Sequence, residues 1–219
     1  MESAAPKNER RPPIAVIDYG VNNVGSVMNA LRRVGAAPTL ARSEADLANA
    51  EAMVLPGIGA FDTGVKNLRE LGLFDAIKAR VAADVPILGI CLGMQLLTKG
   101  SEEGTLEGLS LIDASTKRFA FEGAARDLKI PHMGWHDTHC KDTALFDGLL
   151  GDDTRFYYVH SYHVVCNDPA DVAATCDYGL EFASALHRGK VYGTQFHPEK
   201  SHRFGLRVFA NYVRLTRRD

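Results

Sequence analysis

A cysteine framed by glycines, Gly89-Ile90-Cys91-Leu92-Gly93, stands where the apolar run 86–90 gives way to the helical pattern LGMQLLTKG. A glycine–x–nucleophile–x–glycine elbow needs a tight turn, and small residues on both sides let the chain fold that closely. Such a turn brings the central side chain out at the carboxyl edge of a sheet. It also sets the sulfur at a helix N-terminus, where free N–H groups and the helix dipole favour negative charge. The N–H of Leu92 then faces the place where an oxyanion would form. Most free cysteines are simply buried packing residues, but packing alone does not call for glycines on both sides of a strand–helix junction. Cys140, Cys166 and Cys176 have no such frame and read as structural.

A sulfur nucleophile needs an imidazole, and the imidazole needs a carboxylate to hold its tautomer. Of the eight histidines, one stands beside a carboxylate in a stiff frame, Gln195-Phe196-His197-Pro198-Glu199. Pro198 fixes its own φ and keeps His197 extended, so the Glu199 side chain has room to turn back toward the ring. Taken alone this segment reads equally well as a strand end with a surface histidine. Paired with the elbow it completes a Cys91, His197, Glu199 set for nucleophilic acyl chemistry. His132, His136, His139 and Cys140 invite a metal reading. Ligands four apart align only on a helix, and Pro131 and Gly134 argue against one there, so neither metal nor cofactor is expected.

These groups must be positioned by a larger frame. The 219 residues suit one domain with a substantial core, and the formal net charge of −2 supplies no basic field for nucleic acid. Arg214, Arg217 and Arg218 read as a solvated helix end. No stretch approaches the ~20 apolar residues a membrane span needs, and the opening MESAAPKNERRPP lacks a signal-peptide apolar core. Four cysteines without CxxC spacing fit a reducing compartment, so the expected location is the cytoplasm. Residues 1–13 read as a flexible tail and 14–217 as the domain. Apolar patterning predicts strands at 14–18, 38–41, 52–56, 86–90, 156–166, 171–176, 181–188 and 191–196. Helices are predicted over 24–34, 73–83, 92–100 and 201–218, with no good helix between 109 and 135. This βαβα opening argues for an α/β domain whose central, mostly parallel twisted sheet is flanked by helices.

GICLGMQLL together with QFHPEKS resembles the class I glutamine amidotransferases over nearly the whole chain, from about Ile14 to Tyr212. The resemblance implies a flavodoxin-like sheet and hydrolysis of the L-glutamine side-chain amide by Cys91, His197 and Glu199. It also implies an oxyanion loop at Pro56–Phe61, with N–H groups near Ile58 and Gly59 complementing Leu92. The glutamine contacts it implies are Gly57, Gln95, Ser161 and Tyr162. Within that class, Ile17-Asp18-Tyr19-Gly20, Pro131-His132-Met133-Gly134-Trp135 and His160-Ser161-Tyr162 are most similar to the glutaminase subunit of imidazole glycerol phosphate synthase. That likeness implies a heterodimer with a separate (β/α)₈ cyclase subunit, met through Asn23, Trp135 and Tyr157. The chain departs from the pattern at Asn22, His136 and His163, and Asn22 is expected to keep its turn by tolerating a left-handed backbone. Glutaminases serving other pathways, a γ-glutamyl hydrolase or cysteine peptidase of the same fold, and a binding module with a vestigial site are the alternatives. The complete Cys–His–Glu set argues against the last.

Overall fold

Strand β1 (Pro13–Ile17) sends Ile14 and Val16 to one side of a sheet and Ala15 and Ile17 to the other, all four buried. The same two-sided burial recurs in β3 (Ala52–Gly57) and β4 (Ile87–Cys91), with β2 (Ala37–Ala41) at the edge. Runs apolar at every position are the mark of strands covered on both faces, which is why these segments read as continuous rather than alternating. The computed structural model describes residues 13–151 and 153–216.

Two helical layers supply the cover. Helix α1 (Val24–Arg33) contributes Val27, Ala30 and Leu31, and α6 (His202–Leu215) contributes Val208, Phe209 and Tyr212. Both stripes pack on Ile14, Val16, Val54, Leu88 and Ile90. The opposite face is covered by α2 (Glu44–Leu47), α3 (Phe61–Glu70), α4 (Leu73–Ala82) and α5 (Leu92–Leu96). Phe61, Val65, Leu68, Ile77, Leu92 and Leu96 from these helices meet Ala15, Ile17, Met53, Leu55 and Ile87. The hydroxyl of Tyr212 donates to the Met53 carbonyl at 2.7 Å, fastening α6 to the sheet.

The central strands run in the order β2-β1-β3-β4-β12, all parallel, with β12 spanning Val191–Thr194. Beyond β12 the sheet continues antiparallel through β11 (Glu181–Arg188), β10 (Val172–Asp177) and β7 (His139–Cys140). Two more strands, β5 (Ala114–Arg118) and β9 (Tyr162–Cys166), join through β11. A separate antiparallel ribbon pairs β6 (His132–Asp137) with β8 (Arg155–His160). This is the expected α/β sheet, parallel at its centre.

Several expectations need correction. The stretch 156–166 is two strands in different sheets, because the burial phase breaks at Ser161: Phe156, Tyr158 and His160 are buried, then His163 and Val164 together. Helix α5 stops at Leu96, where the Thr98 hydroxyl bonds back to the Gln95 carbonyl at 2.7 Å. Helices α2 and α3 were not anticipated. Asn22 is not left-handed; Gly20 takes that role at φ 88°, and the Asn22 amide donates to the Ile17 carbonyl at 3.1 Å. Pro13 already belongs to β1, and residues 1–12 of the expected tail and 217–218 of the expected last helix lie outside the described residues. Among the described residues no helix is long and apolar enough to cross a membrane.

Candidate active site

Three adjacent parallel strands, β3, β4 and β12, end side by side. Their register pairs Gly57 with Cys91 and Thr194 with Ile90, so the loop after β3, the nucleophile and Gln195 meet at one sheet edge. The carboxyl edge of a parallel sheet is the usual place for a site, since loops and helix N-termini converge there. Cys91 turns the corner at φ 55° and ψ −111°, a strained conformation for a residue with a Cβ. The flanking glycines are required by space. A Cβ on Gly89 would stand 2.7 Å from the Gly93 carbonyl, and one on Gly93 would run into the Leu55 carbonyl oxygen.

His197 follows β12, buried and extended at φ −98° and ψ 95° ahead of Pro198. Its backbone N–H donates to the Tyr157 carbonyl at 2.9 Å, and its carbonyl accepts from the Ser201 hydroxyl at 2.6 Å. The ring Nδ1 lies 2.8 Å from Oε1 of Glu199, with both side chains buried. A carboxylate can only accept, so Nδ1 carries the proton and Nε2 is the nitrogen left for chemistry. That Nε2 is buried and has no hydrogen-bond partner among the described residues. Burial pulls the imidazole pKa down, but the neighbouring Cys91 sulfur and then Glu199 outweigh it and lift it to about 10. The ring therefore holds its proton at neutral pH. NMR titration of the His197 Cε1 proton should show a midpoint near pH 10, against about 6.5 for an ordinary histidine. The midpoint should fall in Cys91→Ala, because the largest raising influence is then gone. An unchanged midpoint in that variant would place the sulfur out of reach of the ring.

The other thiols stand apart. Burial pushes Cys140 and Cys176 up to about 12 and Cys166 up to about 11, which leaves them unreactive, and all four cysteines are free.

Cys91 opens into a cavity of about 460 Å³ whose lining includes Ile58, Gly59, Leu92, Gln95, Glu103, Ser161, Tyr162 and His197. Ser161 sits between β8 and β9, and Tyr162 offers its carbonyl to the Gln95 amide at 3.2 Å. Gly57, an expected glutamine contact, is not among the lining residues; a Cβ there would run into the buried hydroxyl of Tyr19 and the start of α5. Leu92 opens α5, and its N–H has no acceptor within the helix. Gly59 is left-handed at φ 100°. The Ile58 N–H, however, is already engaged, donating to the Val21 carbonyl at 2.9 Å.

Trp135 and Tyr157 face each other across the β6–β8 ribbon with rings 6.3 Å apart. His202 stacks on Trp135 at 5.3 Å, and the Lys200 ammonium lies 5.6 Å from the Tyr157 ring. Asn23 precedes α1 without a side-chain capping bond, and Ser26, Asn29 and Ala30 of that helix share a cleft with Pro198–Lys200 and His202. Trp135 remains 41% exposed, Ile58 44% and Met133 58%.

His132, His136 and His163 are placed by aromatic packing. Residues four apart align on a strand as well as on a helix, contrary to the expectation above: His132 and His136 touch on one face of β6, ring centroids 4.2 Å apart, while His139 starts β7 in the other sheet. Among the described residues no group of three or more His, Cys, Asp or Glu side chains converges as a metal site. His163 stacks on Phe119 at 4.8 Å, filling an aromatic position.

Two lining or contacting groups escaped the sequence reading. Glu103 is the one acidic side chain among the described residues that line the cavity, its carboxylate accepting from the Phe61 N–H at 2.8 Å. It comes from a loop with no local pattern to mark it. Gln195 is fully buried with Nε2 3.7 Å from the Cys91 sulfur. A polar residue inside the apolar run VYGTQF, just ahead of His197, was the available signal.

Residues 15–214 match the family model described as glutamine amidotransferase class-I. The chain is 44% identical over 203 residues to a Methanococcus maripaludis protein named imidazole glycerol phosphate synthase subunit HisH 2, covering 92% of this chain and 98% of that one. It is 45% identical over 204 residues to a protein of the same name from Pseudomonas aeruginosa, covering 92% and 99%. Among solved structures, PurLQS from Thermotoga maritima superposes with TM-score 0.73 at 20% identity, covering 95% of this chain and 100% of that one. A glutamine amidotransferase from the same organism superposes with TM-score 0.63 at 21% identity, covering 93% of this chain and 83% of that one. The fold, the glycine-framed cysteine at its sheet edge and the match along 15–214 agree: this chain belongs to the class I glutamine amidotransferase family.

Proposed function

We propose that this chain is the glutaminase subunit of an imidazole glycerol phosphate synthase, a cytoplasmic enzyme of histidine biosynthesis. It hydrolyses L-glutamine through a thioester and passes ammonia to a (β/α)₈ cyclase subunit. The observation that carries the reading is the meeting of Cys91, the Glu199-held His197 and the Leu92 N–H in one cavity of substrate size. Likeness at 44–45% identity to synthase subunits favours this member of the family over its relatives.

The Cys91 sulfur attacks the side-chain carbonyl of glutamine, and the carbonyl electron pair moves onto oxygen, facing Leu92 and the 57–59 loop. Protonated His197 gives its Nε2 proton to the amine as the C–N bond breaks, leaving a γ-glutamyl thioester and ammonia. The now neutral ring takes a proton from water, which adds to the thioester and expels the sulfur as glutamate leaves. Glu199 holds the ring through both steps. Gln95, Ser161 and Tyr162 hold the substrate, and Glu103 faces its ammonium group, the one cationic end of glutamine.

Ammonia released into neutral water becomes ammonium, which is not nucleophilic, so a glutaminase running without its partner wastes glutamine. The Ile58 N–H bonded to the Val21 carbonyl is the resting form of a backbone switch. Docking of the cyclase against Asn23, Trp135 and Tyr157 frees that N–H for the oxyanion. One oxyanion donor is worth about 10²–10³ in rate. Glutamine hydrolysis by the chain alone should therefore be slower by about 100-fold or more than in the complex with cyclase and its nucleotide substrate. Equal rates would remove the switch. Failure of any cyclase complex to aminate the nucleotide with glutamine would remove the assignment.

A further inference from the structure

Gln195 follows β12 and reaches the nucleophile. Its side chain is buried, so an apolar residue of similar size would be cheaper to fold unless the amide has work to do. Which end of the amide faces the sulfur follows from its neighbours. The Tyr162 carbonyl can only accept, so Gln95 turns its Nε2 toward it, at 3.2 Å. The same nitrogen lies 3.2 Å from Gln195, which must then present Oε1. Nε2 of Gln195 is left facing the Cys91 sulfur at 3.7 Å, within reach of an N–H···S bond. The backbone N–H of Gln195 is anchored on the Ser184 carbonyl at 2.8 Å, so the side chain departs from a fixed point.

The sulfur has a second neighbour of opposite preference. The Val159 carbonyl lies 3.9 Å away and can accept from a thiol but not from a thiolate. Ionisation thus loses the Val159 contact and strengthens the one from Gln195, since a bond to a charged acceptor is the stronger kind.

We propose that Gln195 is a catalytic residue of this site, its Nε2–H donating to the Cys91 sulfur whenever that sulfur bears charge. The inference rests on the glutaminase reading for its catalytic meaning, though not for the contact itself. The charge is present twice: when the thiolate attacks the amide carbon, and when the tetrahedral adduct of the thioester collapses and the C–S electron pair returns to sulfur. Through Oε1 the same residue sets the orientation of Gln95, so nucleophile and substrate contact are fixed by one buried amide.

The test uses the full chain without partner or glutamine. Iodoacetamide alkylation of Cys91 is followed at neutral pH by peptide mass mapping, which separates it from the other three cysteines. Gln195→Met keeps the length and removes the donor; Gln195→Glu keeps the shape and puts a carboxylate oxygen against the sulfur. With the assay extended below neutral pH until the thiolate is the minor form, the alkylation rate there should fall several-fold in Gln195→Met and further in Gln195→Glu, with unfolding midpoints measured alongside. Unchanged alkylation in both variants would overturn the proposal, even if glutamine turnover fell, since that pattern would leave Gln195 only packing and Gln95 orientation. Slowed alkylation in a chain that never releases ammonia with any cyclase would keep the contact and fail the glutaminase reading instead. Should the variants not fold, [¹⁵N]glutamine labelling of the unsubstituted chain reads the same bond. The Gln195 side-chain N–H resonances should move when Cys91 is alkylated, and stationary resonances would overturn the proposal.

Discussion

Replacing Cys91 by alanine should reduce glutamine-dependent ammonia release by the cyclase complex about 10⁴-fold or more, while synthesis from added ammonium salts continues. The size follows from the way such sets act. Members of a nucleophile–base–carboxylate unit depend on each other, and removing the nucleophile costs nearly as much as removing all of them. The buried His197–Glu199 pair would survive the substitution, but with nothing for Nε2 to act on. Retained activity with ammonium separates loss of chemistry from loss of assembly, because the cyclase half needs only ammonia. Steady-state assays with the two nitrogen sources, run on one preparation, give the comparison. A variant that loses both would point to a docking or folding defect.

Gly93→Ala should destabilise the domain by about 3 kcal/mol or more, read from its urea midpoint, although it adds a single methyl group. The added Cβ would be forced onto the carbonyl oxygen of Leu55, a backbone atom in a central strand with no rotamer to relieve the overlap. Relief requires moving α5 away from β3, which would also pull Leu92 and Cys91 from their positions. Gly25→Ala is the matched control. Gly25 lies within α1 and its missing Cβ would meet no atom within 4 Å. Removing a flexible residue from a helix should there stabilise by about 0.5–1 kcal/mol. The same chemical change is thus expected to act with opposite sign at two glycines, according to what stands opposite.

The parts of the fold that sequence conveys are those governed by strong local rules. The buried strands β1, β3 and β4 are apolar at nearly every position because both faces are covered, and glycine or proline bounds each of them. The elbow was legible because only small residues fit at 89 and 93, and His197 because Pro198 and Glu199 hold it. Helix α3 was lost although Phe61, Val65 and Leu68 lie on one face, since Gly64, Asp62 and Asn67 dilute a ten-residue pattern. Gly64 is there because α5 is close: a Cβ would stand 3.2 Å from the Leu96 side chain. The break at Ser161 was hidden because two strands of different sheets share an apolar run. Gln195 and Glu103 depend on partners more than 40 residues distant, so nothing near them in sequence announces what they touch.

The proposed function requires a covalent bond between glutamine and one sulfur. Acid-quenched mass analysis of the chain, mixed with cyclase, nucleotide substrate and glutamine, measures this directly. A γ-glutamyl adduct on the peptide containing Cys91, and on none containing Cys140, Cys166 or Cys176, is the expected result. Ammonia release that persists in Cys91→Ala, with no adduct found on Cys91 in the unsubstituted chain, would contradict it.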